Sequence, residues 1–214
     1  MEKMKLSEAT TRRLPLYYRC LSELSKKGED KVSSAILEDL LKIDAATIRR
    51  DFSYFGQMGR RGYGYDVKTL LMLFNDALKQ DTTANVALIG VGNLGHALLN
   101  FKFHQIGNAR ISAAFDVNQE IVGTVQSKVP VYDISDIQEQ IKEQDITVAI
   151  LTVPASAAQK MADMLVKAGI HGIMNFTTEL IDVPSRVIVQ NVDLSVELQA
   201  LIYSINHQNQ DDLF

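Results

Sequence analysis

The sequence predicts an α/β protein in two parts: a helical module ending in a basic hairpin, then a Rossmann-like, mostly parallel sheet. Three observations carry this. An apolar run, Val86 to Ile89, leads into Gly90-Val91-Gly92-Asn93-Leu94-Gly95 and then a helical pattern. A second apolar run, Ile111 to Phe115, ends on Asp116. Upstream, three short helical patterns precede the glycine-flanked basic stretch Gly59-Arg60-Arg61-Gly62.

In the first part, Leu14, Tyr17, Tyr18, Leu21 and Leu24 recur at helical spacing, and Pro15 suits a first-turn position, so a helix is expected from Leu14 to Leu24 with Gly28 ending it. Ser33 or Ser34 then caps a second helix whose inner face carries Ile36, Leu37, Leu40 and Leu41. Asp44 caps a third, running from Ala45 to Phe55, with Ile48, Phe52 and Phe55 on one face. That leaves Ala46, Thr47, Arg49, Arg50 and Ser53 pointing away from the core. Small residues at the leading turn let a helix enter a major groove, and arginine pairs bidentately with guanine O6 and N7, so this pattern fits a recognition helix. The stretch from Gly59 to Tyr65 reads as a wing that places Arg60 and Arg61 at phosphates or in a narrow minor groove. Residues 1–80 are therefore expected to form a winged helix-turn-helix that binds double-stranded DNA.

Charge agrees with this division. The net charge of −4 hides an asymmetry, because residues 1–84 carry 15 basic and 12 acidic side chains and residues 85–214 carry 7 and 14. Between residues 45 and 65 four arginines face Asp51 alone, an electrostatic footprint for nucleic acid on an otherwise acidic chain.

In the second part, residues 85–192, the first glycine of Gly90-Val91-Gly92-Asn93-Leu94-Gly95 allows a sharp turn out of the strand. Gly92 lets the backbone approach a pyrophosphate, and Gly95 lets helix and strand pack closely, with His96 following on the helix. The helix N-terminus then offers free N–H groups to phosphate. Asp116, 21 residues after Gly95 and followed by Val117, suits the hydroxyls of an adenosine ribose and repels a 2′-phosphate; no Lys or Arg follows before Lys128. NADH and NAD+ are favoured over their phosphorylated counterparts. Helices are expected over 134–142 and 155–168, the latter closed by Gly169, and strands over 146–153, 172–176 and 187–192. Ligands bind outside the carboxyl ends of such strands, which makes Thr152, Val153, Pro154, Asn175 and Phe176 candidate walls for adenine and nicotinamide.

Other classes fare less well. The longest apolar stretches, such as Ile146 to Val153, have strand length, so neither a signal peptide nor a membrane span is expected, and the single Cys20 gives no reason to expect secretion. A cytoplasmic protein is the expectation. His96, His104, His171 and His207 form no constellation with acidic or basic neighbours, and no metal-ligand spacing occurs. A dehydrogenase would need a proton donor and a cationic anchor, usually from a second domain, and the chain has none to spare, so no enzyme activity is expected. Two alternatives stay open: an NAD-dependent oxidoreductase whose small N-terminal domain only dimerises, and a repressor that binds another nucleotide-like ligand such as coenzyme A. From Asp193 onward (residues 193–214), Leu194, Leu198, Leu201, Ile202 and Ile205 form a stripe that a helix must bury.

Several segments resemble the Rex family of redox-sensing transcriptional repressors. They are Leu14-Pro15-Leu16-Tyr17-Tyr18-Arg19, Ile48 to Gly56, Arg61-Gly62-Tyr63-Gly64-Tyr65, Gly90 to Gly95, Ala113 to Val117, Ile150 to Ala155, Ala168 to Phe176 and Asn191 to Ser195. The resemblance covers nearly the whole chain in one order. It implies a homodimer whose C-terminal helix is swapped onto the partner subunit, a palindromic operator, and release from DNA by NADH. It also implies that Arg19 and Asp193 belong to a switch near the nicotinamide, with a buried Asp193 carboxylate exchanging partners. The family often has a tyrosine where this chain has Phe101, which cannot donate a hydrogen bond to Asp193.

Overall fold

The structure, a computed structural model, describes residues 6–56, 59–60, 63–79, 81–103 and 107–211. The chain divides into two compact units, Met1–Thr83 with His104–Asn108, and Ala84–Phe103 with Ala109–Phe214. Arg61 and Gly62 of the expected wing, and His104, lie outside the described residues.

The first unit packs four helices, α1 (Glu8–Lys26), α2 (Ser34–Leu41), α3 (Ala45–Ser53) and α4 (Val67–Leu78), with a small antiparallel sheet. Its strands are β1 (Lys31–Val32), β2 (Gly59–Arg60) and β3 (Gly64–Asp66), in the order β1-β3-β2. This is a winged helix-turn-helix. Helix α1 begins at Glu8 rather than near Leu14, capped by the Ser7 hydroxyl, which accepts from the Thr10 N–H at 3.1 Å. Pro15 therefore lies inside the helix. The proline signal loses because Thr10 is buried along with Leu14, Tyr17 and Leu21, so packing favours the earlier start. Ser33 caps α2 and Asp44 caps α3, each accepting backbone N–H groups of the first turn. Strand β1 and helix α4 had no counterpart in the sequence expectation; β1 is two residues long, too short for any periodicity. Phe52 centres the core, in edge contact with Tyr17, Tyr65 and Phe74 at 5.0–5.3 Å between ring centroids. Although distant in sequence, Asn108 joins this unit by donating its side-chain amide to the carbonyls of Lys79 and Thr82 after α4.

A charged cluster runs through this core. Asp51 on α3 is fully buried and accepts from Arg13 Nε at 2.6 Å, Arg13 Nη2 at 2.9 Å, Tyr17 Oη at 2.7 Å and Thr10 Oγ1 at 3.0 Å, all from α1. Burial pushes the carboxyl upward, and the hydrogen bonds from Arg13, Tyr17 and Thr10 more than reverse this, leaving Asp51 below the ordinary carboxylate range. Burial and the adjacent carboxylate raise the Tyr17 hydroxyl.

The second unit is a seven-stranded sheet among the described residues, ordered β10-β9-β8-β4-β5-β7-β6. Its strands are β4 (Ala84–Ile89), β5 (Ala109–Asp116), β6 (Val125–Gln126), β7 (Val129–Asp133), β8 (Val148–Leu151), β9 (Gly172–Asn175) and β10 (Ile188–Asn191). Every pairing is parallel except that of β6 with β7. Helix α5 (Asn93–Leu99) follows β4, and α6 (Ile137–Glu143) and α7 (Ala155–Ala168) flank β8 in sequence. One face of the sheet buries Ala87, Ile89, Phe115 and Leu151 against Ile137, Ile141, Ala158 and Leu165; the other buries Val86, Leu88 and Ile150 with Leu99. A bulge between Val86 and Ala87 in the β4–β5 pairing leaves Ser112 without a register partner, and its hydroxyl is buried and unbonded. Helix α8 (Leu194–Asp211) ends the described chain, with Leu194, Leu198, Leu201, Ile202 and Ile205 all exposed.

Replacing Asp51 with Ala removes the shared acceptor of Thr10, Arg13 and Tyr17; the Tyr17 hydroxyl loses its acceptor in the core, while Thr10 Oγ1 keeps Ser7 Oγ at 2.8 Å. Breaking a buried ion pair costs about 3–5 kcal/mol, so the N-terminal unit should lose about that much stability, with Arg13→Ala costing less because Arg13 is partly exposed. Because the Asp51 pKa is lowered on folding, its contribution is present above the unfolded carboxylate pKa and is lost as the pH falls through the folded value. Urea denaturation followed by circular dichroism, at neutral and acidic pH, measures both effects. Equal stability of wild type and Asp51→Ala would remove the cluster's structural role.

Candidate nucleotide site and nucleic-acid interface

The glycine loop sits where the sheet reverses its order, with β5 on one side of β4 and β8 on the other. Connections leave in opposite directions there and open a crevice at the carboxyl ends of the strands. Gly90 has φ of +92°, and a Cβ on it would meet the Thr152 carbonyl oxygen at 2.8 Å. A Cβ on Gly95 would meet the Gly90 carbonyl oxygen at 2.0 Å. These two glycines are required by the protein itself. Gly92 differs: nothing lies within 4 Å of a Cβ built on it, so the space beside it is open to a ligand. No side chain caps α5 at Gly92, and Gly92, Asn93, Leu94 and His96 are exposed.

Three strand ends are tied at this loop. Thr152 Oγ1 donates toward the carbonyl oxygens of both Ile89 and Gly90, at 3.0 and 2.8 Å. Asp116 Oδ2 accepts from the Val91 N–H at 2.6 Å, while Oδ1 accepts from Val117 and Asn118 N–H at 2.8 and 2.9 Å. A carboxylate offers about four acceptor sites, so three backbone donors leave room for a ribose hydroxyl. Val117 is exposed beside it, and Val153 and Pro154 follow Thr152 at the start of α7.

Asn175 and Phe176 separate in role. The Asn175 side chain is fully buried, its Nδ2 donating to the Glu179 carbonyl and to Asn191 Oδ1, its Oδ1 accepting from Thr177 N–H and Oγ1. With all four positions spent, this amide fixes the loop after β9 instead of forming a wall; Phe176 is partly exposed. The sequence signal for this role is a polar residue closing an otherwise apolar buried strand.

In the first unit, α3 presents Ala46, Arg49, Arg50 and Ser53 outward, with Thr47 half-buried. Arg49 Nη1 donates to Ser34 Oγ at 3.1 Å, which orients its guanidinium along α2 while its other donors stay available. Ser33 is committed to the α2 cap. Arg60 lies in β2, paired with Gly64 across the hairpin. The charge count along the sequence sets Asp51 against the basic face, yet it points inward. The missed signal is spacing: Asp51 is three residues after Ile48 and one before Phe52, on the apolar stripe, as Thr10, Leu14 and Tyr17 share a face of α1.

Of the expected switch residues, Arg19 is exposed on α1, and Phe101 is half exposed with its ring 4.7 Å from that of Phe103. Asp193 is half-buried rather than buried. It caps α8, with Oδ1 accepting from Ser195 Oγ at 2.6 Å and from Ser195 and Val196 N–H at 2.9 and 3.3 Å. The hydrogen bonds from Ser195 hold it below the ordinary carboxylate range. Among the described residues no three His, Cys, Asp or Glu side chains are grouped to hold a metal ion, and no helix is long and apolar enough to cross a membrane.

Comparison with known proteins covers both units. A family model described as a putative DNA-binding protein N-terminus matches residues 5–53, and one described as a CoA binding domain matches residues 81–179. The redox-sensing transcriptional repressor Rex of Pediococcus pentosaceus is 74% identical over 206 residues, covering 96% of this chain and 99% of that protein. Its counterpart from Ligilactobacillus salivarius is 59% identical over 207 residues, 97% of each chain. Among solved structures, RSP, a Rex-family repressor, in complex with β-NAD+ and operator DNA superposes with a TM-score of 0.87 at 37% identity, over 97% of this chain and 96% of that one. RSP in complex with β-NADH gives 0.85 at 35% identity, over 97% of each. With near-complete coverage at such identity, this chain belongs to the Rex family of redox-sensing transcriptional repressors.

Proposed function

We propose that this protein is a transcriptional repressor that senses the NADH/NAD+ ratio and is released from its operator by NADH. The observation that carries the reading is the open space beside Gly92, framed by a loop whose other glycines and whose Asp116 and Thr152 are held rigidly. The uncapped start of α5 faces that space and fits a pyrophosphate, and Asp116 fits the ribose hydroxyls. NADH and NAD+ differ in the charge and planarity of the nicotinamide ring. Val153, Pro154 and Phe176 are the side chains assigned to the nucleotide walls. Val91, Asn93, Leu94, Gly95, His96 and Val117 complete the site through backbone and neighbouring surface.

DNA binding is assigned to α3, with Ala46 and Thr47 at the leading turn and Arg49, Arg50 and Ser53 beside it, and to Ser33 and Ser34 at the start of α2. The wing arginines Arg60 and Arg61 contribute phosphate or minor-groove contacts. The exposed apolar stripe of α8 is assigned to a homodimer, which also supplies the two-fold symmetry that paired half-sites require. The switch is assigned to Arg19 and Asp193 in the form the family resemblance gives it, with Phe101 unable to donate a hydrogen bond. The protein acts where its operator lies, in the cytoplasm, and no reaction is catalysed.

Operator affinity measured across titrations of NADH and NAD+ tests the reading; affinity that ignores NADH would end it. Two groups of variants refine it. Gly92→Val fills the open space without a clash in the free protein, so NADH binding should be lost while the poorer N-cap of α5 costs only about 1 kcal/mol and the fold is kept. Gly95→Ala should lower both stability and NADH binding, because its Cβ overlaps the Gly90 carbonyl. Retained NADH binding in Gly92→Val would displace the site.

Among Arg49→Ala and Arg50→Ala, at least one should weaken operator binding by about 1–3 kcal/mol and relax preference at one base pair. Binding of an operator library by each variant separates this base-reading loss from the uniform loss of a phosphate contact. Unchanged affinity in both would remove α3 from the interface.

A further inference from the structure

Beside Asp116 the sheet places a second carboxylate that the nucleotide reading does not use. Asp133 ends β7, and Asp116 and Asp133 are register partners on neighbouring parallel strands, about 4.8 Å apart between backbones, with side chains directed to the same side. Asp133 Oδ1 accepts from Ser135 N–H at 2.9 Å and Ser135 Oγ at 2.7 Å, and Oδ2 accepts from Gln119 Nε2 at 3.1 Å. Gln119 also donates to the Val117 carbonyl at 3.4 Å, so it spans from the segment after β5 to the end of β7 and holds the second carboxylate in place. The bonds from Ser135, then Gln119, keep Asp133 below the ordinary carboxylate range, hence charged at neutral pH.

Among the described residues neither carboxylate has a cationic partner within ion-pair distance. The ion pairs among the described residues involve neither Asp116 nor Asp133. The nearest basic residue before Asp133 in sequence is Lys128, five positions back at the opposite end of β7, about 16 Å away at the rise of a strand. The ribose end of the site therefore carries two adjacent, uncompensated negative charges.

We infer that Asp133 is a selectivity residue which, through its charge and without contacting the ribose, helps Asp116 exclude nucleotides with a phosphate on the adenosine ribose. Both NADPH, with a 2′-phosphate, and coenzyme A, with a 3′-phosphate, fall in that class. The inference rests on the nucleotide site proposed above. It accounts for a sheet matched to a CoA binding domain that selects a ligand lacking the ribose phosphate. A ribose phosphate brings a charge of about −1.5 to −2 to this end of the crevice. At a separation of several ångströms in a partly exposed site, removing one facing charge should change its affinity about fivefold at low salt.

The test is calorimetric binding of NADH to the full-length protein, followed by displacement with NADPH or coenzyme A, for wild type, Asp133→Asn and Asp133→Lys. The asparagine keeps an acceptor for Ser135, and the Gln119 amide can turn to meet it. NADH affinity should stay within about twofold in Asp133→Asn, while NADPH and coenzyme A should displace NADH about fivefold more readily. Asp133→Lys should extend the gain, and the gain should shrink at about 0.5 M salt, where screening acts within a few ångströms. No gain of displacement in Asp133→Asn overturns the inference. Parallel weakening of all three ligands, insensitive to salt, also overturns it by showing a structural role for Asp133. Wild-type protein that binds no NADH would instead fail the nucleotide reading.

Discussion

The orientation of α3, the helix proposed above to read DNA, depends on one buried carboxylate. Asp51 is the point at which α3 is fixed to α1, and its three partners occupy successive turns of that helix at Thr10, Arg13 and Tyr17. An apolar residue at this position could fill the same volume, but it would carry no directed bonds to fix the rotation of α3 against α1. Directed hydrogen bonds do. The pairing also has an electrostatic consequence. Asp51 is neutralised inside by Arg13, so the charge that α3 shows to solvent is that of Arg49 and Arg50, more basic than a count along the sequence gives.

Among its described residues the nucleotide unit holds its loop without a buried ion pair. Its glycine loop is held by close approach of backbone to backbone, Gly95 over Gly90, and by hydrogen bonds from the Thr152 hydroxyl and to Asp116. The Thr152 and Asp116 ties cross from the ends of β8 and β5 to the end of β4, so the crevice between these strands is formed before any ligand arrives. Preorganisation of this kind leaves more of the binding energy to distinguish one ligand from another. In a sensor, that distinction is the function.

Much of this architecture is legible in the sequence, and the exceptions have physical causes. Helix α7 is delimited by Pro154 and Gly169, and Gly169 adopts the left-handed cap that glycine permits, with φ of +98°. Asp44 announces α3, and Gly90 to Gly95 with Asp116 announce the crevice. The hairpin β6–β7 escapes notice because its turn uses Ser127 and Lys128 at positive φ, where glycine or asparagine would be the signal, and because Pro130 lies in the strand. Helix α1 hides its start behind Pro15. The Asp51 cluster and the Asn175 hub share another difficulty: each is a polar residue on a buried stripe, which reads as an interruption of the pattern until its partners, distant in sequence, are known. Asp133 is invisible for a related reason, since only the register of β5 against β7 brings it to Asp116.

The magnitudes limit how a signal can reach the operator. Coupling between ligands at distinct sites is typically about 1–3 kcal/mol. Separating Asp51 from its partners would cost about 3–5 kcal/mol, more than that coupling supplies. A ligand-driven change that had to break the cluster would therefore be opposed by the protein's own packing. The cheaper response leaves the cluster intact, so that α1 and α3 move together as one body and any force applied to α1 is delivered to Arg49 and Arg50 without loss in the joint. The same comparison holds at the glycine loop, where the backbone approach of Gly95 to Gly90 leaves no slack for the cradle itself to deform. What remains free to respond is the set of elements not clamped in this way.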